Sequence, residues 1–153
     1  MGRPEVISKV VLDASALLGV VMGERAFLPL KPMLEAIDRG DIQLVQSTAM
    51  LVELRPRHPR DNSTHAKIRS DLVALLRSPR TQLVDVNTLV ARKAAELAVN
   101  HGLKTWDAIH LATAVLANAD VLVVRDSKFP EGECEGVWIT PPFDLNEGML
   151  PFE

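Results

Sequence analysis

Apolar and polar positions follow two rhythms along this chain, one suited to strands and one to helices, and the rhythm switches many times. Val6 to Leu12 ends in Val10, Val11 and Leu12, an apolar run rich in β-branched residues that suits a strand covered on both faces. It stops at Asp13. From Ala14 to Met22 the spacing turns helical, with Ala16, Leu17, Val20 and Val21 recurring on one side and Gly23 placed to end the helix. A second helix is predicted from about Phe27 to Asp38, with Pro29 and Pro32 in its opening turns and Gly40 closing it. Ile42 to Val45 reads as a strand, and Ser47 is placed to cap a short helix, Thr48 to Arg55, which Pro56 halts.

After a polar loop, Arg57 to Ser63, the segment His65 to Leu76 is amphipathic through Ile68, Leu72, Leu75 and Leu76. Leu83 to Val86 reads as a strand, and Asn87 as the cap of a helix, Thr88 to Asn100, that buries Val90, Ala94, Leu97 and Ala98 and stops at His101-Gly102. A helix from Thr105 to Ala117, a strand from Val121 to Val124 and a last strand from Val137 to Thr140 complete the pattern before a proline-containing tail. Strands separated by helices imply an α/β fold with a mostly parallel central sheet and helices on both faces. At 153 residues the chain fits one domain, its core spanning about residues 6–140. In such sheets ligands bind beyond the carboxyl ends of the strands.

Composition narrows the chemistry only a little. With 47% hydrophobic residues, 24% charged residues and a net charge of -3, the average field of the protein will not hold nucleic acid. Such binding needs a local basic patch or bridging metal ions. Arg55, Arg57, His58 and Arg60 offer one such patch, or form a merely solvated loop. Cys134 is the only cysteine, which excludes an intrachain disulfide and a multi-cysteine zinc site and suits a reducing cytosol. No apolar run approaches the roughly 20 residues that span a bilayer, and Met1 to Lys9 lacks the apolar core of a signal peptide, so a cytoplasmic protein without a membrane is expected. There is no tyrosine, and Trp106 is expected in the core, which leaves little sign of a base-stacking platform.

The candidate chemistry lies in four acids. Asp13 and Asp126 each follow an apolar strand and belong on the carboxyl edge of the sheet, although each can also cap a helix or stabilise a turn. Glu53 sits among Ala49, Met50, Leu51, Val52 and Leu54, in a helix apolar on nearly every side, so its carboxylate needs either a cation such as Arg55 or Arg57, or a metal. Asp107 falls in the first turn of an apolar helix, where the helix dipole also favours an acid. Four carboxylates without a counter-ion would repel one another, and oxygen-only ligands favour Mg²⁺ or Mn²⁺. His110, one turn beyond Asp107, reads either as a general base or as the filling of a polar gap in the core.

The segments VVLDASALL (Val10 to Leu18), STAMLVEL (Ser47 to Leu54), TWDAIHLATA (Thr105 to Ala114) and VLVVRDSKF (Val121 to Phe129) resemble, in that order, the acidic motifs of the PIN-domain nucleases, especially the VapC-type toxins. The third is the most specific, since the family commonly reads D-A-x-H-L-A-x-A, matched by Asp107, Ala108, His110, Leu111, Ala112 and Ala114. The fourth departs from the family: Val124 and Arg125 stand where a small hydroxyl residue and Asn often precede the last acid. The resemblance implies a PIN-like three-layer α/β/α sandwich in a single domain. It implies Asp13, Glu53, Asp107 and Asp126 as ligands of Mg²⁺ or Mn²⁺, with Ser15 positioning a water or carboxylate. It further implies an endoribonuclease acting on RNA, a homodimer, and a cognate antitoxin that silences the toxin. A PIN nuclease of RNA processing without an antitoxin and an inactive RNA- or protein-binding scaffold remain as alternatives. A phosphoacceptor signalling domain would need a convincing acceptor aspartate and late lysine, and no such pair is evident.

Overall fold

The computed structural model describes residues 3–54, 63–125, 128–130 and 132–147. In chain order these form β1 (Lys9–Leu12), α1 (Ala14–Val21), a 3-10 segment (Arg25–Leu30), α2 (Lys31–Arg39), β2 (Gln43–Ser47), α3 (Ala49–Glu53), α4 (Ser63–Arg77), β3 (Thr81–Val84), α5 (Thr88–His101), α6 (Thr105–Leu116), β4 (Val121–Val123), β5 (Gly132–Cys134) and β6 (Val137–Thr140). The strands make one sheet in the order β3-β2-β1-β4-β6-β5, parallel throughout except for the β5–β6 pair.

Alternation along the short apolar strands explains the layers. Val10 and Leu12 point into one core with Leu17, Phe27, Met33, Leu44 and Leu76, from α1, α2, α4 and the segments beside them. Val11 points into the other, with Val45, Val90, Leu97, Leu111 and Leu122, from α5, α6 and their neighbours in the sheet. A strand covered on both faces has no polar side, which is why these segments read as continuous apolar runs. The result is the expected three-layer α/β/α architecture with a mostly parallel sheet.

From β1 the chain steps outward to β2 and β3, then returns past β1 to β4. The β1–β4 boundary is therefore where successive connections diverge, the position at which α/β sheets open a crevice. Both ends of that boundary are tied. At the amino end, the Asp120 carboxylate accepts the backbone N–H groups of Ser8 (2.7 Å) and Lys9 (2.9 Å). At the carboxyl end, the Asp13 N–H donates to the Val123 carbonyl at 3.0 Å. On the other flank, Gln46, fully buried in β2, completes what the backbone ladder leaves undone: its Oε1 accepts from the Leu12 N–H (3.0 Å) and its Nε2 donates to the Leu12 carbonyl (2.8 Å). Residues 143–147 are also held, since Arg3 donates to the carbonyls of Asp144, Leu145 and Glu147 and lies over the Phe143 ring.

Several expectations shift. The second helix divides into the 3-10 segment containing Pro29 and then α2, with Pro32 in its opening turn and Gly40 closing it at φ +83°. Ser47 ends β2 rather than capping from outside, yet its hydroxyl still accepts the Ala49 N–H at 3.0 Å. The third strand is Thr81–Val84, and Val86 lies beyond it, its N–H bonded to the Thr48 hydroxyl. β5 was not expected, because Gly132-Glu133-Cys134 has neither an apolar run nor clear alternation; it pairs with β6 through a turn at Glu135 and Gly136, both at positive φ. Trp106 is 44% exposed rather than packed in the core, because it occupies the outward side of the first turn of α6. The basic stretch Arg55, Arg57, His58 and Arg60 lies outside the described residues. Among the described residues no helix is long and apolar enough to cross a membrane.

Two substitutions test this packing. Gln46→Leu leaves the Leu12 N–H and carbonyl without partners in a dry site, and the expected loss is about 2–4 kcal/mol, read from urea denaturation; a loss under about 1 kcal/mol would show that the bridge is dispensable. At Gly19 an added Cβ would overlap the buried Phe27 ring. Gly19→Ala is expected to lower stability by about 1–3 kcal/mol despite the better helix propensity of alanine, measured by the same denaturation.

Candidate active site

Asp13 leaves β1 in an extended conformation (φ −67°, ψ 168°) and caps α1, so one residue both ends the strand and starts the helix. Its Oδ1 accepts the Ala16 N–H at 2.7 Å, and its Oδ2 accepts the Arg125 N–H at 3.2 Å across the β1–β4 boundary. The residue is 7% exposed. Burial pushes its carboxyl above the ordinary value of 3.8, against the opposing pull of the two backbone N–H groups, and the charge of Asp107 adds to the rise. Asp107 stands half-buried in the first turn of α6. Two carboxylates from distant parts of the chain thus share one electrostatic environment at the carboxyl edge of the sheet.

Glu53 is the last residue of α3, its side chain 23% exposed, and its Oε1 lies 2.5 Å from Nε2 of His110, which is 1% exposed. The cation expected beside Glu53 was Arg55 or Arg57; both lie outside the described residues, and the partner seen is His110. A signal for this pairing was present in the sequence, since Glu53 and His110 are polar residues each set in an apolar helix and each in need of a complement. His110 also lies near enough to Asp13 to influence its carboxyl, which links the two pairs.

Ser15 is exposed in the first turn of α1, two residues after Asp13. Val124, in the place of the family's hydroxyl residue, is buried with the α5–α6 core, and the guanidinium of Arg125 lies 5.9 Å from the centre of the Phe27 ring. Asp126 lies outside the described residues. Among the described residues no three Asp, Glu, His or Cys side chains are grouped so as to hold a metal ion. Asp13 lies within electrostatic reach of Asp107 and His110, and His110 is hydrogen-bonded to Glu53.

The fold is similar to that of several solved structures. One is a member of the VapBC family of toxin-antitoxin systems, VapBC-5, from Mycobacterium tuberculosis, at 16% identity over 88% of this chain and 98% of that chain, with a TM-score of 0.60. A toxin-antitoxin complex from Klebsiella pneumoniae is similar at 20% identity over 89% and 99% of the two chains, with a TM-score of 0.59. VapBC2 from Rickettsia felis, bound to a DNA fragment from their promoter, is similar at 14% identity over 77% and 87%, with a TM-score of 0.56. At these identities the likeness concerns the fold. No curated protein matches the chain. The PIN domain family model matches residues 10–133, most of the chain and all of the segments that build the acidic edge, and the chain therefore belongs to the PIN domain family.

Proposed function

We propose that this protein is a metal-dependent endoribonuclease that hydrolyses RNA phosphodiester bonds, and that it serves as the toxin of a type II toxin-antitoxin pair. The observation that carries the reading is the Asp13 carboxylate buried at the strand junction, its pKa raised chiefly by burial and a little by the charge of Asp107, a cost that a bound cation would relieve. Each Asp13 oxygen takes one backbone N–H, which orients the carboxylate and leaves lone pairs for a further partner. The donors are oxygens, which suits Mg²⁺ or Mn²⁺.

In this reading Asp13, Glu53, Asp107 and Asp126 hold the ion, and the Ser15 hydroxyl positions a water or a carboxylate. The chemistry supplied by a bound ion is polarisation of the phosphodiester and activation of water. The Arg125 N–H keeps Asp13 turned toward the junction, and the exposed Arg125 guanidinium is available to a phosphate. PIN-family membership and the toxin-antitoxin assemblies among the similar folds support a cognate antitoxin, and a homodimer is proposed beside it. Val21 and Leu28, each 40% exposed, offer apolar surface for such partners.

The direct test incubates purified protein, freed of any co-purified partner, with labelled single-stranded RNA in Mg²⁺, Mn²⁺ or EDTA, beside Asp13→Asn and Asp107→Asn. Cleavage is expected only with metal, and to fall by about 100-fold or more in each variant, as when a major electrostatic stabiliser is lost. A folded, uninhibited protein that cleaves under no metal would instead be a binding scaffold.

Stability supplies a second test. Because the folded pKa of Asp13 lies above its unfolded value, the native state binds more protons between the two, so metal-free stability falls as pH rises through that window. Asp13→Asn keeps an oxygen for the Ala16 N–H and removes the charge. The metal-free variant is therefore expected to melt above the wild type at pH 7 and to gain nothing from Mg²⁺, whereas Mg²⁺ raises the wild-type melting temperature. Equal melting curves without metal would show that the buried charge is not strained.

A further inference from the structure

His110 has no part in the roles assigned above, yet it is among the most buried polar residues of the protein. It lies one helical turn beyond Asp107, at 1% exposure, between α6 and α3. Nε2 is 2.5 Å from the Glu53 carboxylate, while Nδ1 is buried and has no hydrogen-bond partner among the described residues. This asymmetry assigns the proton. A tautomer with the proton on Nδ1 would bury an unmet donor and set two acceptors against each other, so Nε2 carries the proton and donates it to Glu53. A ring in this state, 1% exposed and engaged through Nε2 with Glu53, is poorly placed to take a proton from water in the pocket, and the general-base role has no support in its geometry.

Among the described residues, His110 is the one side-chain partner seen for Glu53. Glu53 ends a helix of only five residues, and its side chain is partly open to solvent. A carboxylate on so short a support keeps one direction only if a neighbour holds it, and the hydrogen bond from His110 is short and charge-assisted. The same bond joins α3 to α6, so it sets the distance between the element carrying Glu53 and the element carrying Asp107.

We propose that His110 is a positioning residue: its Nε2–H fixes the direction of the Glu53 carboxylate at the end of α3, and with it the hold of Glu53 on a divalent cation. The inference rests on the nuclease reading for its consequence, although the hydrogen bond that carries it is independent of any activity. Partners that orient metal ligands typically change metal affinity or activity by about 10- to 100-fold when removed.

The test uses the full chain with His110→Leu, which removes the donor but refills the space, His110→Gln, which restores an N–H donor, and Glu53→Gln. Mn²⁺ alone is titrated calorimetrically into each, RNA cleavage is resolved into kcat and KM, and denaturation confirms folding. In His110→Leu the Mn²⁺ affinity and kcat are expected to drop by about 10-fold or more with KM for RNA little changed, and His110→Gln is expected to recover most of the loss. In the Glu53→Gln background His110→Leu should add no further loss, because its effect passes through Glu53. Unchanged Mn²⁺ affinity in a folded His110→Leu variant, or equal losses in both backgrounds, overturns the proposal while leaving the nuclease reading intact. A wild type that binds no Mn²⁺ overturns both. Should His110→Leu not fold, the wild-type imidazole nitrogen resonances decide: a proton on Nε2 whose shift moves in Glu53→Gln is required, and a proton on Nδ1 overturns the assignment.

Discussion

A carboxylate that is 7% exposed is costly to ionise unless donors or a cation answer it, and Asp13 meets that constraint with two backbone N–H groups from different parts of the chain. The Ala16 N–H comes with the helix that Asp13 itself starts, so it follows from local chain geometry. The Arg125 N–H comes from the far side of the sheet, 112 residues away in sequence, and is delivered only when β4 lies beside β1. Electrostatics at the site and topology of the sheet are therefore the same fact seen twice: without the crossover that places β4 next to β1, the carboxylate would lose a donor and its place at the junction.

The sheet around that junction is built to be dry. Apolar side chains cover both faces of β1 and β4, so backbone groups that the ladder leaves open cannot turn to water. Gln46 answers this at Leu12 with both ends of its amide, and Asp120 does the same at the other end of β1 with one carboxylate oxygen. These two polar residues fix the strand that ends in Asp13, and so give the acid a fixed position rather than a range of them.

The acidic edge is organised as two linked pairs. The charge of Asp107 adds a small rise to the Asp13 carboxyl, whereas Glu53 and His110 complement each other as acceptor and donor. Asp13 is held apart from water, which raises its carboxyl, whereas the Glu53–His110 pair is joined by a hydrogen bond that holds geometry. In the PIN-family fold that this chain adopts, both pairs stand at the carboxyl edge, where the order of strands opens the sheet.

Much of this was legible along the chain because it depends on local periodicity. The apolar runs of β1, β2, β4 and β6, the helices capped by Asp13 and Asn87, and the stops at Gly40 and Gly102 follow from side-chain spacing and backbone preference, and the resemblance of four ordered segments pointed to the family. β5 escaped because three residues paired at a sheet edge need no apolar run, and Trp106 was misplaced because a residue near a helix start can face outward on an otherwise apolar helix. The sequence by itself determined the kinds of elements, their order and the candidate acids, since propensity, capping and periodicity act over a few residues. Only the tertiary structure decided that Arg125 answers Asp13, that Gln46 bridges Leu12 and that His110 meets Glu53, because each of these contacts joins segments that only the packed sheet and its helices bring within hydrogen-bonding distance.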